Sequence, residues 1–193
     1  MGMSKVAIID PVGAKAGMNY YDIGLLSGLH NHGVEAYLFS NTDDVPSEIK
    51  NYNFFDLFVE SKWRKGIGQL TAHLRSFWIC KRENIDWVVV HVFSVQLTFF
   101  MFCLIARLFG LKLLVISHDV DSLAKDDNKL LKKWFYKYVA NYIIIHNQYS
   151  LEKIKHIVGD KNHYSVIQQG GYPELVDEKV TVEQAKVQLG FNI

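Results

Sequence analysis

The sequence predicts an α/β fold built on a doubly wound, mainly parallel sheet, a Rossmann-like arrangement with three α/β/α layers. Short apolar runs rich in β-branched residues alternate with helix-length segments, and no repeat or low-complexity segment interrupts them. Of the 193 residues, 49% are hydrophobic and 21% are charged, so the chain has enough apolar material for a large core and too little charge for disorder. Strands that alternate with helices in this way form a parallel sheet covered by helices on both faces.

The first half of the chain continues this alternation through several predicted elements. The first helix is expected to end at Gly33, and in the second helix Ile67, Leu70 and Leu74 recur at helical spacing. The predicted strands are residues 6–10, 35–39 and about 54–59, and the predicted helices are residues 18–32 and a segment within 67–82.

Residues 87–116 form a long apolar stretch whose formal charges are Arg107 and Lys112. On length alone this stretch is long enough to span a bilayer. Its two ends, 87–92 and 112–116, are β-branched runs, and a helix-length apolar block lies between them. We therefore predict a buried strand, helix and strand. A membrane span and a helix that contacts a membrane surface are the competing interpretations.

The last part of the chain continues the alternation and then becomes polar. Ser150 is the expected N-cap of a helix that ends near Gly159. The other predicted elements are a helix at 128–139 and strands at 142–146 and 165–167. A further helix at 182–189 is followed by no strand, so we interpret residues 1–180 as one domain. Residues 181–193 are then the start of a linker to a second domain, missing or supplied by another chain.

Charge, cysteine content and the N-terminus argue against several classes of protein. The 21 Lys and Arg residues and the 20 Asp and Glu residues give a net charge of +1, which disfavours nucleic acid as a partner. Cys80 and Cys103 lie in apolar surroundings, as expected for a reduced intracellular protein rather than a disulfide scaffold or zinc site. The N-terminus lacks the apolar core of a signal peptide, so we expect a cytoplasmic location.

A glycine-containing loop follows the first predicted strand, where doubly wound sheets bind ligands. Gly13 and Gly17 allow close approach of the backbone, and Lys15 between them favours contact with an anion or a sugar phosphate. The spacing of these glycines differs from the dinucleotide and P-loop fingerprints, so NAD binding is a weak alternative. A turn that only requires glycine is the other alternative.

A second polar motif follows a strand that we predict to be central in the sheet. His118 and Asp119 lie at its carboxyl end, where the carboxylate can orient the imidazole or hold a hydroxyl-rich ligand. His91 and His146 end the neighbouring predicted strands, so three histidines are expected to line one cleft. A metal site, a hydrolytic dyad and a pair that only caps the next segment stay open as alternatives.

Two segments combine basic and aromatic residues. Residues 62–82 contain six basic residues and no acidic one, with Trp63 and Trp78 among them, and residues 129–137 place lysines beside an apolar stripe. Such helices favour an anionic membrane surface or a lipid-phosphate substrate. An ordinary amphipathic helix that packs on the core is the alternative.

Taken together, these motifs resemble the N-terminal domain of GT-B fold glycosyltransferases of retaining family 4, the glycosyl transferases group 1. The resemblance covers nearly the whole chain. It rests on the strand and glycine loop at residues 6–21, the helix end Leu29-His-Asn-His-Gly33, the pair His118-Asp119, the turn at residues 166–172 and the helix that ends in Leu189-Gly190.

The resemblance implies transfer of a sugar from a nucleotide-sugar donor to a glycan or polyprenyl-linked acceptor, in cell-surface polysaccharide biosynthesis. It implies that His118 is catalytic and contacts the transferred sugar. The residues expected to bind substrate are Gly13, Lys15, Gly17, Tyr20 and Asp119, with Gly17 beside the donor diphosphate. Neither a metal nor a cofactor is implied, because the nucleotide sugar is the substrate.

In the family, a separate C-terminal domain binds the donor, so this chain alone is expected to be inactive. The expected location is the cytoplasm, either free or in peripheral contact with the inner membrane face. The alternative function is a non-catalytic module that binds a sugar or a membrane surface, or a partner subunit of a two-chain transferase. An NAD enzyme is a third hypothesis.

Overall fold

A computed structural model of the protein describes residues 3–13, 17–55, 61–118, 120, 128–159 and 163–168. The strands in these ranges are β1 (Lys5–Ile9), β2 (Glu35–Ser40), β3 (Lys50–Asn53), β4 (Trp87–Val92), β5 (Leu113–Ser117), β6 (Tyr142–Ile145) and β7 (Tyr164–Val166). The helices are α1 (Asn19–Asn31), α2 (Lys62–Arg82), α3 (Leu97–Leu108), α4 (Lys129–Trp134), which continues as a π-helical turn (Phe135–Val139), and α5 (Gln148–Val158). The predicted linker at 181–193 lies outside the described residues.

The strands form one open parallel sheet in the order β3-β2-β1-β4-β5-β6-β7. Helix α1 covers one face, where Ile23 and Leu26 pack on Ile8 and Val89. Helices α2, α3 and α5 and the π-helical turn contribute to the core on the opposite face. The predicted doubly wound, three-layer α/β fold is therefore confirmed. The chain leaves β1 toward β2 on one side and later returns to β4 on the other, so a crevice forms at the carboxyl ends of β1 and β4.

The third strand lies earlier in the chain than predicted. Residues 50–53 form a strand, and Phe54 and Phe55, where a strand at about 54–59 was predicted to begin, lie beyond its end. Residues 56–59 of that prediction lie outside the described residues. This strand is at the edge of the sheet and half exposed, so its sequence is polar and lacks a strand-like apolar run. Its first residue, Lys50, forms a salt bridge with Glu35 of β2.

The start of helix α5 also differs from the prediction. Asn147, with extended backbone, is the N-cap, and its side-chain oxygen accepts a hydrogen bond from the Ser150 backbone N–H at 2.8 Å. Ser150 is therefore buried inside the first turn and is not the cap. The predicted end is confirmed, because Gly159 ends the helix with a φ of +75° that favours glycine.

The apolar stretch at 87–116 folds as the buried strand, helix and strand β4, α3 and β5. Helix α3 has 12 residues, well short of the length that a bilayer requires. Among the residues that the structure describes, no helix has the length and apolar content needed to cross a membrane.

Candidate functional site

The three strand-end histidines come together at the carboxyl edge of the sheet. Side chains alternate between the two faces along a strand. Val89, Ile116 and Ile144 lie on the face that α1 covers, and a histidine lies two residues beyond each of them. These histidines are His91, His118 and His146, so all three lie on the α1 side of the sheet.

Their rings form one cluster under the first turn of α1. His91 Nδ1 lies 3.0 Å from His118 Nε2, and the ring centroids of His118 and His146 are 5.2 Å apart. The Tyr21 ring contacts all three imidazoles edge-on, at centroid distances of 5.2 to 6.2 Å. The prediction that the three histidines line one place in the fold is confirmed.

Asp22 of α1 places a buried carboxyl group against this cluster. Its side chain is fully buried, and its Oδ1 lies 2.7 Å from His91 Nε2. An ionised Asp22 accepts only, so His91 donates from Nε2 and, as a neutral ring, accepts at Nδ1. His118 must then donate from Nε2, which leaves the lone pair on its Nδ1 available. We call this chain of Asp22, His91 and His118 the relay.

A second carboxyl, Asp10, lies beside the relay at the end of β1. Its Oδ1 accepts the Val12 N–H at 3.0 Å. Among the described residues, Oδ2 of Asp10 and Oδ2 of Asp22 are buried without an N–H or O–H partner. Burial raises the pKa of Asp22 to about 7, and burial together with the neighbouring Asp22 charge raises the pKa of Asp10 to about 7. With the pKa of each carboxyl near 7, the pair keeps about one proton at neutral pH.

The histidines of the relay are neutral at pH 7. Burial lowers the pKa of His91 to about 4. Burial is the main cause that lowers the pKa of His118 to about 4, and the neighbouring His91 and His146 lower it as well. As a neutral ring that donates from Nε2, His118 therefore carries a lone pair on Nδ1 at neutral pH. The Asp22 carboxylate, at the other end of the relay, stabilises the imidazolium that forms when His118 accepts a proton.

His146 and Phe93 complete the surroundings of His118. His146 Nδ1 donates to the Ile167 carbonyl at 2.8 Å, and its Nε2 is buried without a partner among the described residues. The ring of Phe93 stacks on that of His118, with centroids 4.6 Å apart and planes 8° apart. His118 is thus held by the aromatic face of Phe93 and the ring of His91.

The other residues predicted to bind substrate differ in how close they lie to this cluster. A Cβ atom on Gly13 would meet Asp10 Oδ2 at 3.0 Å, so the loop passes close to the buried carboxyl. Gly17 precedes α1 with a φ of +70°, which favours glycine, and a Cβ atom there would meet no described neighbour within 4 Å, so its surroundings are open. Tyr20 is exposed on α1. Lys15 and Asp119 lie outside the described residues.

Sequence reasoning missed Asp22 and Tyr21 as members of the site, and treated Asp10 only as the end of a strand. The available signal was an acidic residue at the start of a helix, directly before Ile23 and three residues after Asn19. Asp22 shares the buried side of α1 with Ile23 and Leu26, and a buried acid on an apolar helix face requires a partner. Within the described ranges, no group of three or more His, Cys, Asp or Glu side chains is arranged to hold a metal ion.

Comparison with known proteins establishes the fold. No protein-family model matches the sequence, and no curated protein matches it either. HepE of Anabaena in complex with UDP-glucose superposes with a TM-score of 0.56 at 16% identity, over 98% of this chain and 50% of that one. A sucrose-phosphate synthase structure from Thermosynechococcus elongatus superposes with a TM-score of 0.58 at 12% identity, over 97% of this chain and 96% of that one. MnaA of S. aureus with UDP superposes with a TM-score of 0.53 at 14% identity, over 85% of this chain and 43% of that one.

These likenesses show that the chain shares the open, doubly wound parallel sheet of these three structures. This chain spans about half the length of HepE and less than half that of MnaA. Identities of 16% or below establish the fold and do not single out retaining family 4.

Proposed function

We propose that the chain is the acceptor-side lobe of a glycosyltransferase that moves a sugar from a nucleotide-sugar donor to a glycan or lipid-linked acceptor. The observation that carries the proposal is the relay, which ends in His118 at the carboxyl edge of the sheet. Doubly wound sheets bind ligands at this edge. Solved structures of the same fold include one with UDP-glucose and one with UDP, which supports a nucleotide sugar as the substrate.

In this proposal His118 is the catalytic residue that accepts a proton. The acceptor hydroxyl oxygen attacks the anomeric carbon of the donor sugar, and its proton passes to His118 Nδ1. The bond from that carbon to the diphosphate breaks, and its electron pair leaves on the nucleotide. Such a single displacement inverts the anomeric configuration, in contrast to the retaining chemistry that the family 4 resemblance implies. His91 and Asp22 are positioning residues, since they act through His118.

The remaining predicted residues keep supporting roles in the proposal. Gly13 and Gly17 allow the loop before α1 to approach the donor diphosphate, and Lys15 adds a positive charge there. Tyr20 and Asp119 contact the acceptor. The reaction uses no metal and no cofactor, and a separate C-terminal domain supplies the rest of the donor site. A cytoplasmic enzyme of cell-surface polysaccharide synthesis, working at the inner membrane face, fits these roles.

The direct test is nucleotide release from UDP-glucose, UDP-N-acetylglucosamine and GDP-mannose. The chain co-expressed with its proposed donor domain is expected to release nucleotide from one of them in the presence of acceptor, and the chain alone is expected to release none. Half of the cleft is absent in the second case, so the reactants are not held together. Proton NMR of the product reads the anomeric configuration.

Full activity of the chain alone would contradict the two-domain proposal. Binding of NAD, without release of nucleotide from any of the three donors, would contradict the transferase proposal in favour of an NAD enzyme. A retained anomeric configuration would contradict the role of His118 as a base.

A second candidate function, contact with an anionic membrane, is favoured by the outer face of α2. Trp63, Ile67 and Leu70 recur at helical spacing and are 83%, 58% and 42% exposed. Exposed Arg64 and Lys65 lie next to Trp63, and the helix contains no acidic residue. Exposed apolar residues flanked by basic ones suit the headgroup region of an anionic bilayer.

Vesicle sedimentation tests this contact. The protein is expected to bind vesicles that contain phosphatidylglycerol, to bind neutral vesicles weakly and to dissociate in high salt. Trp63→Ser is expected to weaken binding several-fold. The matched control is Leu108→Ser, which removes an apolar side chain that is 80% exposed on a different helix, α3. Equal loss in both variants, or equal binding to neutral vesicles, would contradict the proposed contact.

A further inference from the structure

A cavity of about 210 Å³ lies between the sheet and helices α2 and α3. Its walls are mostly apolar, and Phe77, Val90, Phe102, Cys103 and Ala106 are among the residues that line it. Protein interiors pack closely, so a space of this size between buried elements is unusual. An engineered apolar cavity of about 150 Å³ stays dry and binds benzene, so the present one is large enough for a substituted aromatic ring or a short alkyl chain.

One end of the cavity reaches the relay. Asp10 and His91 line that end, and Phe93 forms part of the wall. The same Phe93 ring stacks on His118. A ligand whose apolar body fills the cavity would therefore end at the carboxyl edge of the sheet, and its hydroxyl group would reach around that edge to His118 on the α1 side.

A single polar ring lies among the described lining residues on the α2 side. His73 donates from Nδ1 to the Gln69 carbonyl at 2.7 Å and stacks on Phe102 with centroids 3.9 Å apart. Burial lowers the pKa of His73 to about 4, so the ring is neutral and accepts at Nε2. The cavity therefore suits a neutral molecule with an apolar body and a hydroxyl group, rather than an ion.

We propose that this cavity binds the apolar group of the acceptor, an aromatic ring or a short alkyl chain that carries a hydroxyl group. Its place as an acceptor site rests on the proposed function, whereas its capacity to bind such molecules does not. The acceptor is then an alcohol or phenol with a small apolar body, a class different from the glycan or lipid-linked acceptor named in the proposed function.

The experiment titrates benzyl alcohol into the chain and follows the methyl resonances of Val90, Ala106 and Leu113 by NMR. These methyl groups belong to residues that line the cavity, so saturable shifts are expected, with a Kd of about 1 mM. Glucose, which has no apolar body, is the control ligand and is expected to leave them unchanged. Absence of saturable shifts with benzyl alcohol would overturn the proposal.

Filling the cavity provides the matched variants. Ala106→Leu and Cys103→Met add bulk at two lining positions, and either is expected to weaken benzyl alcohol binding at least tenfold. Two variants are used because added bulk in a buried position can destabilise the fold. The control is Ala140→Leu, at a partly buried residue outside the cavity lining. Unchanged affinity in a folded filling variant would overturn the proposal.

Nucleotide release in the complete assembly then separates the two proposals. Transfer to benzyl alcohol that Ala106→Leu impairs through KM supports the acceptor site. Binding that the filling variants abolish, without any nucleotide release by the assembly, supports the cavity and counts against the transferase. Transfer whose KM for benzyl alcohol is the same in wild type and Ala106→Leu would overturn the assignment of the cavity to the acceptor.

Discussion

The His118→Ala variant is expected to lose at least about 100-fold in kcat for sugar transfer while keeping the native fold. The variant removes the Nδ1 lone pair that accepts the proton in the proposed reaction. Among the described residues the half-buried ring makes one hydrogen bond, to His91, so the free energy of unfolding should change by only about 1 kcal/mol. The measurement is nucleotide release by the complete assembly, with urea unfolding of the same preparations.

The control for this variant is His32→Ala, which removes an exposed histidine near the end of α1, away from the carboxyl edge of the sheet. Its kcat should match that of wild type. Near-normal turnover of His118→Ala would refute the catalytic role of this residue. Loss of turnover together with loss of the folded state would show a structural role instead.

The Asp22→Asn variant is expected to be more stable than wild type above neutral pH and much less active. The pKa of Asp22 is about 7 in the folded protein against an ordinary value of 3.8, so between these values the folded state holds a proton that the unfolded chain has lost. The free energy of unfolding of wild type therefore falls as pH rises from about 4 to about 7. An amide keeps the shape and carries no charge, so the variant should gain on the order of 3 kcal/mol at pH 8 and little at pH 4.

Activity should change in the opposite direction. Without the carboxylate at the end of the relay, the imidazolium at His118 loses its stabilising charge, and kcat should fall about 100-fold or more. Urea unfolding at several pH values and nucleotide release measure the two effects. Asp43→Asn, at an exposed carboxylate that accepts a hydrogen bond from Asn53, is the control and should change neither. A variant less stable than wild type at pH 8 would contradict the proposed charge state of the site.

Much of the fold was predictable because most strands are buried in the middle of a parallel sheet. Such strands read as continuous apolar runs, as in β4 and β5, whereas edge strand β3 is polar and was not predicted at 50–53. The N-cap of α5 was misplaced for a local reason. Both Asn147 and Ser150 can cap a helix, and only the backbone conformation selects Asn147.

The site, too, was only partly predictable from the sequence. Because residues at the carboxyl ends of parallel strands share one edge, the sequence predicted that His91, His118 and His146 would meet. Asp22 could not be found by this rule, since it lies on a helix and its partner His91 is 69 residues away along the chain.

The amino-acid sequence by itself determined the alternation of strands and helices, the order of the motifs and the edge at which the histidines lie. The tertiary structure decided which atoms meet there. Docking of α1 on the sheet places the Asp22 carboxyl 2.7 Å from the His91 ring, and burial then sets the charges of both. Hydrogen-bond direction and charge depend on distances of a few ångströms and on exclusion of water, and both arise only when distant segments pack together.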